Sequence, residues 1–361
     1  MKKFWTIIDS FILKKFLSTF FFAIMILAVI ACVIDYSQKV DYFVENKAPA
    51  GPIAFYFLNF VPHIVALLFP LFIFIATIFF TSKMAYRTEI IATLAAGVSF
   101  RRFLRPYIAG SIILGIIALV ANHWIVPIAN KNINHFHELY IWPKKVASDN
   151  NVHLRLSPNL YVYIENYNYN ENTGRRFTAE TVDGIQLKEK IMADRASYDT
   201  LKKEWKLSSV VIRRNDGLKE TLELKPELIR KFPFTPKDLD DDGRARETMT
   251  TPELIRFTER ERQRGRESVN FYLIEQHKRT AQPFAGFILT MIGACIASRK
   301  VRGGSGLHLA LGIVISALYM LFFQFTQTFS TNAGLSPLIA VWIPNAIFGI
   351  VAIVLFRRQV N

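Results

Sequence analysis

Cysteines and nucleotide-binding glycine motifs are nearly absent from this sequence. Its two cysteines, Cys32 and Cys295, fall within long apolar stretches, and residues 127–281 contain none. A disulfide-stabilised domain is therefore excluded there. No G-x-x-x-x-G-K-[ST] phosphate-binding loop occurs, which excludes a P-loop ATPase. The glycine run at 303–306 has no Lys after it and predicts a flexible turn.

Motifs for catalysis and for metal binding are missing too. H-E-x-x-H and G-x-S-x-G do not occur. Asp238–Gly243 begins like a calcium loop, but Met249 stands where a bidentate Glu is required. His135 and His137 are two residues apart, and such a pair diverges on a helix. We expect no catalytic residue, no metal site and no cofactor bound by this chain.

Acidic residues are scarce outside residues 127–281. The chain has 44 Lys and Arg against 29 Asp and Glu, a formal charge of +15, yet the two signs nearly balance within 127–281. The excess positive charge therefore lies in short segments between apolar stretches, which is not the pattern of a nucleic-acid-binding surface. We expect no nucleic-acid partner.

Apolar residues dominate the remainder of the chain. The hydrophobic fraction is 51% and there are 31 Phe. Apolar blocks cover residues 16–126 and 282–356, and each divides into three segments of the ~20 residues that cross a bilayer. The six predicted spans are Phe16–Tyr36, Phe57–Thr81, Pro106–Val126, Gln282–Ser298, Leu307–Phe329 and Pro337–Phe356.

Lys and Arg are concentrated on one side of these spans. All but two of those outside 127–281 fall at the N-terminus, in loop 82–105, in loop 299–302 or at the C-terminus. Cytoplasmic loops are enriched in Lys and Arg. We therefore expect both termini in the cytoplasm and the polar segment on the opposite side, which is the periplasm in a bacterium.

The polar segment has the alternating pattern of β-strands. Runs rich in Val, Ile, Tyr and Trp are separated by Gly, Asp and Asn, and short strands at this spacing predict an antiparallel sandwich or an open roll. The predicted strands are Asn159–Tyr167, Gly184–Leu187, Ile191–Tyr198, Glu204–Arg214 and Glu220–Leu224. The predicted fold class is an α-helical membrane protein with six transmembrane helices (3+3) and an inserted all-β domain. The predicted domains are 1–126, 127–270 and 271–361.

Two segments near the predicted cytoplasmic face have alternative interpretations. Residues 4–12 have apolar residues at helical spacing and form either an amphipathic helix on the membrane surface or the first turns of a longer span 1. Loop 82–105 contains a helical pattern at Glu89–Ala96, stopped by Gly97. This pattern is typical of either a docking helix for an ATPase or a simple connector.

Two polar groups beside the spans are also open to two interpretations. Gln324 and Gln327 share one face of span 5, and they either line a cavity or hydrogen-bond a neighbouring helix. Lys39 lies among acidic residues at the outer end of span 1. This cluster is either a rim that contacts lipid headgroups or a solvated helix end.

Three segments together resemble the lipopolysaccharide export permeases LptF and LptG (the YjgP/YjgQ family). Residues 67–107 contain RTEIIATLAAGVS and RRFLRPY, similar to the family's charged coupling helix and the start of its third span. Residues 272–286 place an Arg before A-x-P, and residues 334–349 contain W-x-P-N. The whole chain is similar to the family in length and in the position of its insert.

The resemblance implies a permease subunit of an ABC transporter in the bacterial inner membrane. Such subunits form an LptF/LptG heterodimer on a cytoplasmic LptB ATPase dimer, which uses ATP and Mg. They extract lipopolysaccharide and pass it through periplasmic β-jellyroll domains to an LptC-like bridge protein. The length of this chain slightly favours LptG over LptF.

The resemblance also implies roles for individual residues. Coupling to the ATPase is implied for Arg87, Thr88, Glu89 and Gly97. Lipid binding, or a place at the lateral gate of spans 1 and 5, is implied for Lys39, Phe323, Gln324 and Gln327. A structural motif is implied for Arg279, Pro283, Trp342, Pro344 and Asn345.

Two other functions compete with export. The chain could be a membrane-anchored scaffold whose β-domain binds a partner without transport. A transporter driven by an ion gradient is disfavoured, because no acidic residue lies in the middle of a span to carry a proton or Na⁺.

Overall fold

Long apolar runs form the longest helices in a computed structural model of this chain. The sequence resembling a calcium loop lies largely outside the described residues, at 240–243, as do glycines 303 and 304. The structure describes residues 5–141, 148–157, 159–168, 171–184, 186–217, 219–239, 245–263, 269–299 and 305–360.

The helices of the described residues alternate between long apolar segments and short connectors. Six continuous helical stretches are long and apolar enough to cross a membrane, which confirms the helical part of the predicted fold class. The helices are α1 Ile7–Glu45, α2 Ala50–Tyr86, α3 Glu89–Ala95, α4 Phe100–Phe103, α5 Arg105–Val120, a π-turn at Ala121–Ile125, α6 Val126–Tyr140, α7 Pro236–Leu239, α8 Ala245–Thr248, α9 Thr251–Gln263, α10 Val269–Ala297, α11 Ser305–Asn332 and α12 Pro337–Val360.

Helix α1 is much longer than the predicted first span. It begins at Ile7 because Thr6 and Asp9 form a capping box, in which each side chain accepts a hydrogen bond from the other residue's backbone N–H. It then continues without a break to Glu45, so the residues before Phe16 are the first turns of a longer helix. Its 39 residues span about 58 Å, well beyond the ~30 Å hydrocarbon core, and its ends must project from the membrane.

Glycines allow the long helices to approach closely. A Cβ atom on Gly312 of α11 would lie 2.5 Å from Ile78 Cδ1 of α2, and one on Gly286 of α10 would lie 2.7 Å from Phe69 Cε1 of the same helix α2. Small residues at such crossings let neighbouring backbones pack tightly in a bilayer, where no hydrophobic effect drives helices together. Helix α2 is thus in close contact with both α10 and α11.

Residues 148–230 form one antiparallel sheet of six strands, which confirms an inserted all-β domain. Consecutive strands are neighbours throughout, so the sheet is a meander. The Greek-key crossings that define a jelly roll are not found among the described strands. The strands are β1 Ser148–Ser157, β2 Leu160–Asn168, β3 Thr173–Asp183, β4 Gln186–Asp199, β5 Glu204–Asp216 and β6 Lys219–Arg230.

Trp205 lies at the centre of the core that covers this sheet. Its side chain is fully buried, its ring stacks on Phe234 with centroids 4.7 Å apart, and its Nε1–H donates to the Phe234 carbonyl at 3.1 Å. Buried Tyr167 and Phe177 contribute further aromatic contacts. The apolar ring of the indole is therefore packed against other aromatic rings, and its single N–H is hydrogen-bonded.

The chain divides into two compact units. The helical unit comprises Met1–Phe136, Arg246–Ile255 and Asn270–Asn361. The β unit comprises His137–Ala245 and Arg256–Val269. The segment 246–255 therefore belongs with the membrane helices although it follows the sheet in sequence.

Replacing Trp205 should destabilise the β unit strongly. Trp205→Ala removes the largest core side chain and leaves the Phe234 carbonyl without its donor, at a cost of about 3–5 kcal/mol. The measurement is the urea concentration at which trypsin begins to cleave within the β unit of the full chain in detergent. Leu201→Ala, at a turn position that is 93% exposed, is the matched control and should leave that concentration unchanged. Equal resistance in both variants would contradict the assigned core.

Candidate functional site

An apolar groove lies between α1 and α2 within the helical unit. Its volume is about 870 Å³, which is enough to hold alkyl chains, and its walls are almost wholly carbon. Apolar walls of this kind favour acyl chains over any polar ligand. Residues that line it include Phe21, Met25, Val29, Val33, Phe57 and Val61.

Lys39 lies one turn beyond the groove and is held in an ion pair. Its Nζ is 2.6 Å from Asp35 Oδ1 and 2.6 Å from Tyr56 Oη, while the Tyr56 hydroxyl donates to Asp35 Oδ2 at 2.7 Å. Tyr56 is 1% exposed, and its ring centroid lies 5.0 Å from Lys39 Nζ. Asp35 therefore neutralises Lys39, whereas Asp41, Glu45 and Lys47 at the same end of α1 are exposed.

The predicted gate residues of α11 have different surroundings. Phe323 is buried and stacks on Tyr319 at 6.0 Å. Gln324 is exposed, and half-buried Gln327 donates from Nε2 to the Phe323 carbonyl of its own helix at 3.2 Å. Among the described residues neither glutamine side chain hydrogen-bonds another helix. Both line a small pocket of about 160 Å³ together with Lys278.

Pro283 leaves one carbonyl of α10 without a helical donor. Proline has no N–H, so the carbonyl of Arg279, four residues earlier, cannot form its usual bond. Asn122 supplies the missing donor through Nδ2 at 3.4 Å. Asn122 lies in the π-turn between α5 and α6, a departure from α-helical geometry that is often found at functional positions.

The Arg279 side chain fastens the segment 246–251 to α10. It is 3% exposed, and its guanidinium donates to Glu275 Oε1 at 3.1 Å, to the Met249 carbonyl at 2.8 Å and to the Arg246 carbonyl at 3.0 Å. A planar guanidinium can serve several acceptors at once, which an ammonium group cannot do with the same geometry. Arg279 therefore ties this segment to α10, while Asn130 Nδ2 donates to the Glu247 carbonyl of the same segment at 3.1 Å.

Asn345 connects three helices. Its Oδ1 accepts from the Tyr319 hydroxyl of α11 at 2.9 Å, and its Nδ2 donates to the Ala281 carbonyl of α10 at 2.9 Å. Trp342, one turn earlier on α12, contacts the Phe284 ring with centroids 5.3 Å apart. The W-x-P-N segment thus contributes a polar and an aromatic contact between helices, and Pro344 lies between them inside α12.

The short helix α3 presents a mixed surface. Thr88 and Gly97 flank it with positive φ angles of 60° and 87°, which set it off sharply from α2 and α4. Ile90 is buried, whereas Ile91 and Leu94 are 51% and 37% exposed. Arg87 lies 3.9 Å from Glu89, and both side chains are accessible. Two exposed apolar side chains and two accessible charges therefore lie on and beside this helix.

A sequence model described as "Lipopolysaccharide export system permease LptF/LptG" matches residues 10–358. The chain belongs to the LptF/LptG family. Family membership confirms the resemblance that the three motifs indicated and does not separate LptF from LptG. No curated protein sequence matches the chain. As a family member with six apolar helices, it is a multi-pass inner-membrane protein with a role in lipopolysaccharide export.

In this LptF/LptG-family protein, several structural polar residues escaped the sequence analysis. His123 Nδ1 lies 2.8 Å from Thr251 Oγ1, and His63 Nδ1 lies 2.7 Å from Asn130 Oδ1. The signal that could have found them is the presence of Asn and His within apolar helices, where unpaired polar groups are costly. No group of three or more potential metal ligands occurs in the described part of the chain.

Arg279→Gln should release the segment 246–251. The change removes the guanidinium that donates to two backbone carbonyls and to Glu275 Oε1, and loss of one partner of a buried ion pair costs about 3–5 kcal/mol. Trypsin cleavage after Arg246 in the full chain measures the release directly, and its rate should rise.

The matched control for this variant is Lys278→Gln. Lys278 is adjacent, its side chain is 25% exposed and it lies 3.5 Å from Glu275, so its loss should leave the cleavage rate near that of the wild type. Arg279→Lys should fall between the two. Identical cleavage in all variants would show that Arg279 does not hold the segment.

Proposed function

We propose that this chain is the permease subunit of an ABC transporter that extracts lipopolysaccharide from the inner membrane and passes it to a periplasmic bridge. The observation that carries the proposal is the apolar groove of about 870 Å³ along α1 in a chain of the LptF/LptG family. Acyl chains need such an apolar surface, since each methylene exposed to water costs about 0.8 kcal/mol.

The proposed orientation follows from the charges of the short loops. Arg and Lys are concentrated at both termini and in the connectors at 82–105 and 299–302, which favours their location in the cytoplasm. The β unit then lies in the periplasm. Lipid would move from the groove toward that side.

The energy for extraction must come from a separate ATPase, because the sequence has no phosphate-binding loop. Helix α3 is the docking surface that we propose for it. The partner chains are an LptB ATPase dimer, which uses the ATP and Mg, and a homologous permease that completes an LptF/LptG pair. Glu89 and Arg87 supply the charges of the docking surface, and Ile91 and Leu94 its apolar contacts.

The β unit offers an edge suited to a bridge protein. Strand β6 is at the end of the sheet order, and its Leu222, Leu224 and Ile229 are 66%, 78% and 57% exposed. An edge strand carries unpaired backbone groups that can accept a further strand. An LptC-like protein that added a strand here would extend the sheet along the path of the lipid.

Charge reversal at Glu89 tests the docking of the ATPase. Glu89→Lys places a positive charge in the first turn of α3, where the helix dipole also disfavours it, and should abolish co-purification of the ATPase with the permease. Asp41→Lys is the control, since it makes the same charge reversal at an exposed position near the C-terminal end of α1 and not on α3. Normal ATPase recovery with Glu89→Lys would refute this docking surface.

A photo-crosslinking residue at Gln327 tests the substrate. In growing cells it should capture lipopolysaccharide, because Gln327 lines a pocket on the predicted gate helix. A crosslinker at Ile350 of α12, which is 62% exposed, should capture mainly phospholipid. Capture of phospholipid alone at both positions would count against lipopolysaccharide as the cargo.

A further inference from the structure

An ion pair joins the start of α1 to the segment that follows α3. Arg102 Nη2 of α4 donates to Asp9 Oδ2 of α1 at 2.7 Å, and the Asp9 side chain is only 6% exposed. The same carboxylate oxygen accepts from the Thr6 backbone N–H at 2.8 Å and from the Thr6 hydroxyl at 2.9 Å. Asp9 therefore caps α1 and binds α4 with one atom.

Apolar contacts surround this pair and include the docking helix. Ile12 and Phe16 of α1, Ile90 of α3 and Phe100 of α4 belong to one buried cluster. Each is at most 7% exposed. A displacement of α3 thus meets packed side chains that also support the first turns of α1, and packed interiors transmit strain because they compress little.

The other end of the same helix forms a wall of the groove. Helix α1 is unbroken from Ile7 to Glu45, and its residues Phe21 to Tyr36 line the apolar cavity. Asp9 and Cys32 lie about 35 Å apart along the helix axis, given 1.5 Å per residue. A rotation or shift imposed at Asp9 must therefore reach the groove, because no proline or other break interrupts α1 to absorb it.

We propose that the Asp9–Arg102 ion pair is the joint through which movement of α3 and α4 is passed to α1, so that nucleotide binding by the docked ATPase reshapes the lipid groove. This inference rests on the proposed function. Both residues are positioning residues, since they act through α1 and do not touch the lipid. The apolar cluster transmits the displacement, and the charged hydrogen bond between Arg102 and Asp9 fixes the register of α4 on α1.

Cys32 provides a reporter of the groove in the native sequence. It lines the cavity and is partly exposed, whereas Cys295 is 1% exposed. In a Cys295→Ala background, the rate of Cys32 alkylation by an apolar maleimide is measured on the purified complex, without nucleotide and with ATP plus vanadate. The wild type should show a change of about fivefold or more, the scale of ordinary coupling between sites.

Variants on both sides of the pair should remove this response. Arg102→Gln and Asp9→Asn should give equal alkylation rates in the two nucleotide states while the ATPase still co-purifies. Asn at position 9 keeps an oxygen for the helix cap, and Arg102→Lys keeps the charge and should retain part of the response. Lys15→Gln removes an exposed cation from the same end of α1 and should respond like the wild type.

A full response in Arg102→Gln and Asp9→Asn would overturn the joint alone and leave the proposed function standing. Loss of the nucleotide response in Lys15→Gln as well would also overturn the joint. The response would then depend on the total charge at this end of α1 and not on the Asp9–Arg102 pair. A wild-type complex without an ATPase would instead refute the proposed function, and this inference with it. If the Cys32 alkylation rate of a wild-type complex that contains the ATPase is the same with and without nucleotide, only the joint is refuted.

Discussion

The helical unit depends on one constraint: a polar backbone group inside a bilayer must find its partner within the protein. Pro283 creates such a need by removing the donor for the Arg279 carbonyl, and Asn122 meets it from the π-turn. Asn345 serves two helices at once through the Tyr319 hydroxyl and the Ala281 carbonyl. Asparagines that would be costly in lipid are therefore the residues that fix how α5, α10, α11 and α12 pack.

Hydrogen bonds to a membrane helix also position the chain after the sheet. Within residues 246–251, the carbonyls of Arg246 and Met249 accept from a side chain of α10. The Arg279 guanidinium donates to both carbonyls, and the Glu275 carboxylate, 3.1 Å away, balances its charge. This segment is consequently part of the helical unit, and its position follows from α10. One buried arginine thus links the membrane helices to the chain that leaves the inserted domain.

The sequence predicted the number and order of the long helices because hydropathy follows directly from the solvent around them. It did not predict their ends. Helix α1 continues to Glu45 because its outer turns bear Lys39 and Asp35, which pair with each other and with Tyr56 on α2. That partner lies 17 residues from Lys39 in sequence, and no local pattern identifies it. The docking, gate and motif roles of individual residues stay predictions that the experiments above test.

Strand prediction failed where local composition opposes the sheet. Strands β1 and β3 were not predicted, since β1 begins S-D-N-N and β3 contains T-G-R-R, both typical of loops. Pairing with β2 overrides these preferences. Conversely, β4 joins the end of the predicted strand Gly184–Leu187 to the predicted strand Ile191–Tyr198, because Glu189 and Lys190 pair with both β3 and β5 despite their charge. Residue propensity describes a single strand, whereas the hydrogen-bonded ladder depends on two paired strands.

The groove and its polar end together set how tightly a lipid can be held. The apolar wall accepts acyl chains, but Lys39 is already neutralised by Asp35, and its Nζ contacts the Tyr56 hydroxyl at 2.6 Å. An anionic headgroup could bind Lys39 only by displacing a carboxylate that is 12% exposed, and separating such a pair is costly where the effective dielectric constant is low. The groove therefore favours chains over headgroups. In the proposed export role, a groove that favours acyl chains and whose nearest cation is already paired would bind the lipid weakly enough to release it.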